Sequence, residues 1–192
     1  MKDFRTFLAL SVIFGLLLIA FILQDRMLPD ARQFDDTPIP PTEGAAERLF
    51  PDLRVLDITA IQLLDPVSDN TFTIARSSIT GQWTAVDREG TLDPDEATAM
   101  ARAVIFIAYN NSFEIEEDTN LEQYGFRPEG EFYIQFTTID GGQHVIAIGE
   151  PTFDSPTFYT LIDDRQIIYL VNRVAIDYLV QQFLNPPISE VP

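Results

Sequence analysis

The sequence contains no cysteine, one histidine, one lysine and one tryptophan among its 192 residues. Without cysteine, the chain can form no disulfide framework, no thiol nucleophile and no zinc–thiolate site. A single histidine, His144, excludes a multi-histidine metal centre and a pair of histidine acid–base groups. These absences predict no bound cofactor and no tightly bound transition metal.

Positive charge is also scarce. The chain has 12 basic and 30 acidic residues and a formal net charge of -18. Because contacts with a phosphate backbone require clustered positive charge, this balance predicts no binding to nucleic acid. Most of the acidic residues lie from Glu47 onwards, which argues against a peripheral contact with an anionic membrane surface.

Several catalytic and nucleotide-binding motifs are missing. The chain has no G-x-x-x-x-G-K-[ST], no G-x-G-x-x-G and no G-x-S-x-G. His144 follows the Gly141–Gly142 turn, where a surface or edge-strand histidine is favoured over a catalytic one. The sequence therefore predicts no catalytic residue and no enzyme, and a hydrolase with a carboxylate-only site is the least favoured hypothesis.

Two acidic clusters have a structural explanation. Asp163–Asp164 is expected to be a turn, since glycosidase chemistry needs two carboxylates facing each other across a cleft. An acidic run between the first helix and the next strand is expected to be a solvated connection, because the spacing of a calcium loop is missing. This run contains Glu114, Glu116, Glu117 and Asp118.

The longest apolar run is Phe7–Leu23. About 17 helical residues rise roughly 26 Å, close to the length needed to cross a bilayer core. The alternative is a cleaved signal peptide, but Ala20 is followed by three large apolar residues rather than by a small-residue cleavage site. Lys2 and Arg5 give a slight positive excess before the run, which predicts a cytoplasmic N-terminus and an extracytoplasmic body.

The composition predicts four segments. Residues 1–26 form the transmembrane anchor, residues 27–46 a proline-rich acidic linker, residues 47–184 the folded domain and residues 185–192 a flexible tail. The prolines of the linker favour extended polyproline-like stretches, so it is expected to be a stalk, or alternatively to lie along a partner subunit.

The folded segment alternates between strand-like and helix-like patterns. Asp93 is expected to cap a helix that begins at Pro94, with Glu96 at capping-box spacing, and that ends near Tyr109–Asn110. A second amphipathic helix is predicted at Val174–Leu184. The predicted strands are Val55–Leu64, Thr71–Ala75, Gln82–Val86, Glu131–Thr138, Gln143–Ile148, Phe158–Ile162 and Gln166–Val171.

This element order predicts an α+β domain in which antiparallel sheet carries two helices packed on one face. The order also indicates a strand-strand-strand-helix pseudo-repeat. Gly125, in a turn between the acidic run and the next strand, is expected to adopt a left-handed backbone conformation.

Aromatic residues near turns have two explanations. Large rings can cover a small sheet as part of the core, or they can form an exposed contact patch for a partner protein. The candidate partner contacts are Trp83, Tyr124, Phe126, Phe153, Phe158 and Tyr159.

The order of motifs resembles domain-of-unknown-function family 4340 over roughly Glu47–Leu184. The motifs are Leu49–Pro51, Gly81–Trp83, the helix start at Asp93, Tyr124–Pro128, Ile148–Thr152, Phe158–Tyr159 and Ile168–Val171. Phe126 stands where the family usually has leucine. The resemblance implies a bacterial, membrane-anchored extracytoplasmic protein, often encoded beside ABC-transporter components of the gliding-motility or auxiliary-transport type. It implies no activity and no site residue.

The leading hypothesis is a non-enzymatic accessory or scaffolding subunit that binds other subunits of a membrane complex, such as an ABC-type transporter. The alternative is an extracytoplasmic binding module for a small molecule, a cell-wall polymer or a cation. The first hypothesis predicts no deep concave site with convergent polar groups, whereas the second predicts one.

Overall fold

The computed structural model describes residues 46–126, 130–153 and 156–189, all within the unit Thr42–Pro192. The predicted anchor Phe7–Leu23 and the linker up to Ala45 lie outside these ranges. Within them, no helix has both the length and the apolar character needed to cross a membrane.

The described residues form an α+β fold, which confirms the predicted fold class. The helices are α1 (Pro94–Ile105) and α2 (Arg173–Leu184). The strands are β1 (Glu47–Arg48), β2 (Ile58–Asp65), β3 (Asn70–Arg76), β4 (Trp83–Ala85), β5 (Thr91–Leu92), β6 (Ala108–Glu114), β7 (Phe132–Thr138), β8 (Gln143–Pro151), β9 (Thr157–Ile162), β10 (Ile167–Asn172) and β11 (Ile188–Ser189).

Nine strands form one antiparallel sheet in the order β1-β6-β10-β9-β8-β7-β2-β3-β4, and β5 pairs with β11 separately. The chain runs through the same element order twice, as β2-β3-β4-β5-α1-β6 and as β7-β8-β9-β10-α2-β11. The last strand of each half pairs with the other half: β6 pairs with β10, and β11 pairs with β5. The two halves are therefore joined by exchanged strands as well as by the central β2–β7 pair.

Buried and partly exposed residues alternate along the central strands, so one face of the sheet lies in the core. In β7, Phe132, Ile134 and Phe136 are buried, whereas the residues between them are partly exposed. Opposite them on β2, Leu63 pairs with Ile134 and Ile61 with Phe136. These side chains and the buried faces of α1 and α2 belong to one hydrophobic cluster, and the two helices contact each other.

The start of α1 confirms the predicted cap. An Asp93 carboxylate oxygen accepts hydrogen bonds from the amides of Asp95, at 2.9 Å, and Glu96, at 3.3 Å. The predicted end of this helix is wrong, because α1 stops at Ile105 and the chain forms β6 from Ala108. Pairing with β10 satisfies the backbone of β6, a long-range interaction that local helical periodicity cannot reveal.

The turn at Gly125 confirms the expected left-handed conformation, with φ of 87° and ψ of 18°. A Cβ at Gly125 would lie 2.2 Å from the backbone nitrogen of Glu150, and one at Gly149 would lie 2.1 Å from the carbonyl oxygen of Tyr124. Both glycines therefore permit the segment Leu121–Phe126 to lie directly against β8.

Candidate functional site

An open groove of 550 Å³ lies between α1 and α2, beside Ala46. Helices α1 and α2 contribute three side chains each, and the residues that flank them contribute the rest. We call this surface the interhelix groove; it is lined by Ala46, Ala99, Arg102, Ala103, Phe106, Ala108, Asn172, Val174, Ala175 and Tyr178.

Small side chains make the floor of the interhelix groove and larger apolar side chains stand at its rim. Half of the lining residues are alanine, so a partner's backbone or side chains can approach closely. At the rim, Phe106 is 55% exposed and Val174 is 77% exposed. Exposed apolar side chains beside an apolar concavity are typical of a surface that binds another molecule.

Most polar groups in the interhelix groove already have partners. The Tyr178 hydroxyl donates a 2.8 Å hydrogen bond to Glu96, which also accepts a bond from Gln182. The Asn172 side chain accepts from the amide of Val174 and caps α2. Burial raises the pKa of Tyr178, and the hydrogen bond to the Glu96 carboxylate raises it further, so the hydroxyl remains a donor.

Arg102 is the exception among these polar groups. Within the described ranges, its guanidinium makes no hydrogen bond or ion pair, and its helix position leaves it beside the alanine floor. The groove therefore offers apolar contact and one positive charge, without a set of convergent polar groups.

His144 lies on β8, an interior strand of the sheet rather than an edge strand. Its Nδ1 atom lies 3.0 Å from a carboxylate oxygen of Asp163, and its ring packs against Phe50 and Phe136. The other Asp163 oxygen accepts from the amide of Val145. This arrangement attaches the β9–β10 turn to β8, and no hydroxyl of the described residues hydrogen-bonds to the second ring nitrogen.

The acidic clusters lie in connections. Glu114 ends β6, Glu116–Asp118 follows it as an exposed segment, and Asp163–Asp164 occupies the β9–β10 turn. Across the three described ranges, no group of three or more His, Asp or Glu side chains has the geometry to hold a metal ion.

The structure disperses the six aromatic residues that the sequence selects as partner contacts. Trp83 and Phe126 are only 8% and 6% exposed. Tyr124 and Tyr159 stack edge to face at 4.9 Å. The Arg173 guanidinium lies over the ring of Phe158.

Phe153 differs from the other five because its side chain is fully exposed. Trp83, on β4, lies at one end of the sheet order, whereas Phe158 and Tyr159 lie on β9, several strands away. The six residues therefore do not form one contact patch.

Sequence reasoning missed the residues of the interhelix groove. The sequence feature that could have indicated the groove is a pair of alanines on α1. Ala99 and Ala103 are four residues apart and adjoin the buried face of the helix. These alanines form part of a groove only because α2 packs beside them, which the sequence does not show.

No family model matches the chain, and searches of curated proteins and of solved structures find no significant match. The resemblance to family 4340 therefore stays a prediction.

Proposed function

We propose that this protein is a single-pass, membrane-anchored accessory or scaffolding subunit whose acidic extracytoplasmic domain binds another protein of a membrane complex. The interhelix groove is the observation that carries this proposal. It combines an alanine floor, exposed Phe106 and Val174 at the rim, and the charge of Arg102, for which no ion-pair partner lies among the described residues.

The composition of the groove supports a protein partner over a polar substrate. Cores of protein interfaces are poor in charge and rely on a few aromatic or arginine anchors. The groove offers both kinds of anchor, in Phe106 and Arg102. The hydroxyl of Tyr178 and the side-chain oxygen of Asn172, which a polar ligand could use, are engaged within the domain.

The membrane attachment rests on sequence. The apolar run Phe7–Leu23 and the preceding Lys2 and Arg5 support a retained anchor with a cytoplasmic N-terminus. Protease added to intact spheroplasts is expected to remove the body, and full protection would reverse the proposed orientation. The resemblance to family 4340 makes an ABC-type transporter our preferred partner complex.

Partner binding is tested by purifying the tagged full-length chain in mild detergent with its native complex. Phe106→Lys places a charge in the interhelix groove, whereas Ile79→Lys changes a residue that is 93% exposed elsewhere. Loss of an aromatic anchor costs about 2 kcal/mol or more, so Phe106→Lys is expected to reduce co-purified partner more than tenfold.

Ile79→Lys is the matched control and is expected to retain the partner. Trp83 fluorescence during urea unfolding checks that both variants remain folded, since this residue is the one tryptophan of the chain. Equal partner recovery with the two variants would contradict the assignment of the groove.

A further inference from the structure

A second concavity, of 460 Å³, lies on the other side of α2 from Tyr178. We call it the phenylalanine pocket, because Phe132, Phe158 and Phe183 line it together with Ile176 and Val180. Phe132 and Phe183 meet edge to face, with ring centroids 5.3 Å apart. The volume falls within the range of small-molecule sites, about 300–1,000 Å³, and the aromatic lining is typical of them.

The rim of the phenylalanine pocket is acidic at one end. Asp65 and Glu131 both line it. Both lie at the same end of the antiparallel β2–β7 pair, because Leu64 pairs with Tyr133, Asp65 ends β2 and Glu131 directly precedes β7. Two carboxylates therefore stand at one edge of an otherwise apolar pocket.

The two carboxylates differ in their partners. Asp65 accepts hydrogen bonds from the Ser68 hydroxyl, at 2.7 Å, and from the amide of Val67, at 2.9 Å. These bonds lower the pKa of Asp65, so it is ionised at neutral pH. Glu131 is exposed, and its carboxylate has no hydrogen bond or ion pair with any residue that the structure describes.

An ion pair lies beside Phe158, one of the rings that line the pocket. The Arg173 guanidinium lies 5.1 Å from the centre of the Phe158 ring and pairs with Asp177. Among the described residues, Asp65 and Glu131 are therefore the lining carboxylates whose charge no cation compensates. The net charge of the whole chain, -18, adds a long-range attraction for cations.

We propose that the phenylalanine pocket binds a small organic cation, an amine or quaternary ammonium carried on an apolar aromatic or aliphatic body. The apolar body lies among Phe132, Phe158 and Phe183, where burial and ring contact stabilise it. The cationic group lies at Asp65 and Glu131. This site is separate from the interhelix groove and does not depend on partner binding.

Three matched probes test the charge selectivity: 4-phenylbutylammonium, 4-phenylbutanol and 4-phenylbutyrate. Binding is measured by titration of the full-length chain in nanodiscs of neutral lipid, with empty nanodiscs as the background. We expect the ammonium to bind at least tenfold more tightly than the carboxylate, with the alcohol between them. Equal affinities, or no binding of any probe, would overturn the proposal.

Variants test the location. Val180→Trp fills the pocket and is expected to abolish ammonium binding, whereas Glu131→Gln is expected to weaken it several-fold. Glu117→Gln removes one charge from an exposed segment that does not line the pocket, and it is expected to leave binding unchanged.

A second pocket variant keeps the test valid if Val180→Trp does not fold. Leu184 is 61% exposed at the rim, so Leu184→Arg introduces a cation there with little effect on the core. It is expected to abolish the preference for the ammonium probe. If the preference survives in folded Leu184→Arg, the site is placed wrongly.

Discussion

Gly125 and Gly149 lie where the turn after Leu121–Tyr124 contacts β8. Gly125 has φ of 87°, and a Cβ there would overlap the backbone nitrogen of Glu150. Gly81 also has positive φ, at 72°, but has no heavy atom within 4 Å of a built Cβ. Comparing Gly125 with Gly81 therefore distinguishes two effects of an added side chain. Both positions have a strained backbone angle, but only Gly125 also lies too close to neighbouring atoms.

We predict that Gly125→Ala lowers the free energy of unfolding by about 2 kcal/mol or more, whereas Gly81→Ala lowers it by about 1 kcal/mol. Urea unfolding of the full-length chain in mild detergent, followed by Trp83 fluorescence, measures both values. Equal effects of the two substitutions would mean that the turn does not lie against β8 as described.

Single residues also show where sequence reasoning succeeds and fails. The glycine at position 125 could be assigned a left-handed conformation because the chain must turn there between Tyr124 and Phe126. The Asp93 cap was predictable from its position before Pro94, but the capping box with the Glu96 side chain is not formed. The Glu96 carboxylate accepts from Tyr178 instead, a contact that spans 82 positions of the chain and has no local signature.

Strand β11 pairs with β5 beside Gly90, which lies in close contact with Ile188 of β11. A Cβ at Gly90, where φ is 128°, would lie 2.2 Å from the Cγ2 atom of Ile188. The amide of Asp93 donates to the carbonyl of Pro187 at 2.9 Å, next to the β5–β11 pair. A side chain at position 90 therefore displaces β11.

We predict that Gly90→Ala accelerates hydrogen exchange at the Asp93 amide without changing exchange at Ile61, in the central β2–β7 pair. Gly141→Ala is the control, because Gly141 has φ of 87° and open space around it. Unchanged protection at Asp93 in Gly90→Ala would show that β11 does not require the glycine.

The strands that the sequence does not reveal are those that pair only with distant segments, without a neighbouring hairpin strand. Segment Ala108–Glu114 contains two asparagines and little apolar alternation, so nothing local separates it from a loop. It becomes β6 because β1 and β10 flank it. The two-residue strands β5 and β11 are too short to carry a period, and β11 falls in the segment predicted to be a flexible tail.

Because β6 and β11 are exchanged between the two halves, we expect the domain to unfold as one cooperative unit. The first half contains the one tryptophan, Trp83, and the second half contains the one histidine, His144. Unfolding of either half removes the β6–β10, β5–β11 and β2–β7 pairs that join the halves, although the other pairs lie within one half.

We predict that urea unfolding curves from Trp83 fluorescence and from the His144 ring proton signal in NMR spectra have the same midpoint. Two separate midpoints would show that the halves unfold independently and that the exchanged strands contribute little to stability.

The interhelix groove exists only in the folded molecule. Its floor combines Ala99 and Ala103 of α1 with Ala175 of α2, about 70 residues further along the chain. Composition and motifs could indicate an accessory domain without an evident active site, but the surface that carries the proposal depends on how α1 and α2 pack. Aromatic residues near turns were a poor guide to that surface because folding buries Trp83 and Phe126.

Photo-crosslinking in living cells tests the proposed contact most directly. The same photoreactive phenylalanine analogue, p-benzoylphenylalanine, replaces either Phe106, at the rim of the interhelix groove, or Phe153, which is fully exposed elsewhere. We predict a specific adduct with a membrane-complex protein from position 106 and none from position 153. An adduct from position 153 alone, or from neither position, would contradict the assignment of the groove as the partner-binding surface.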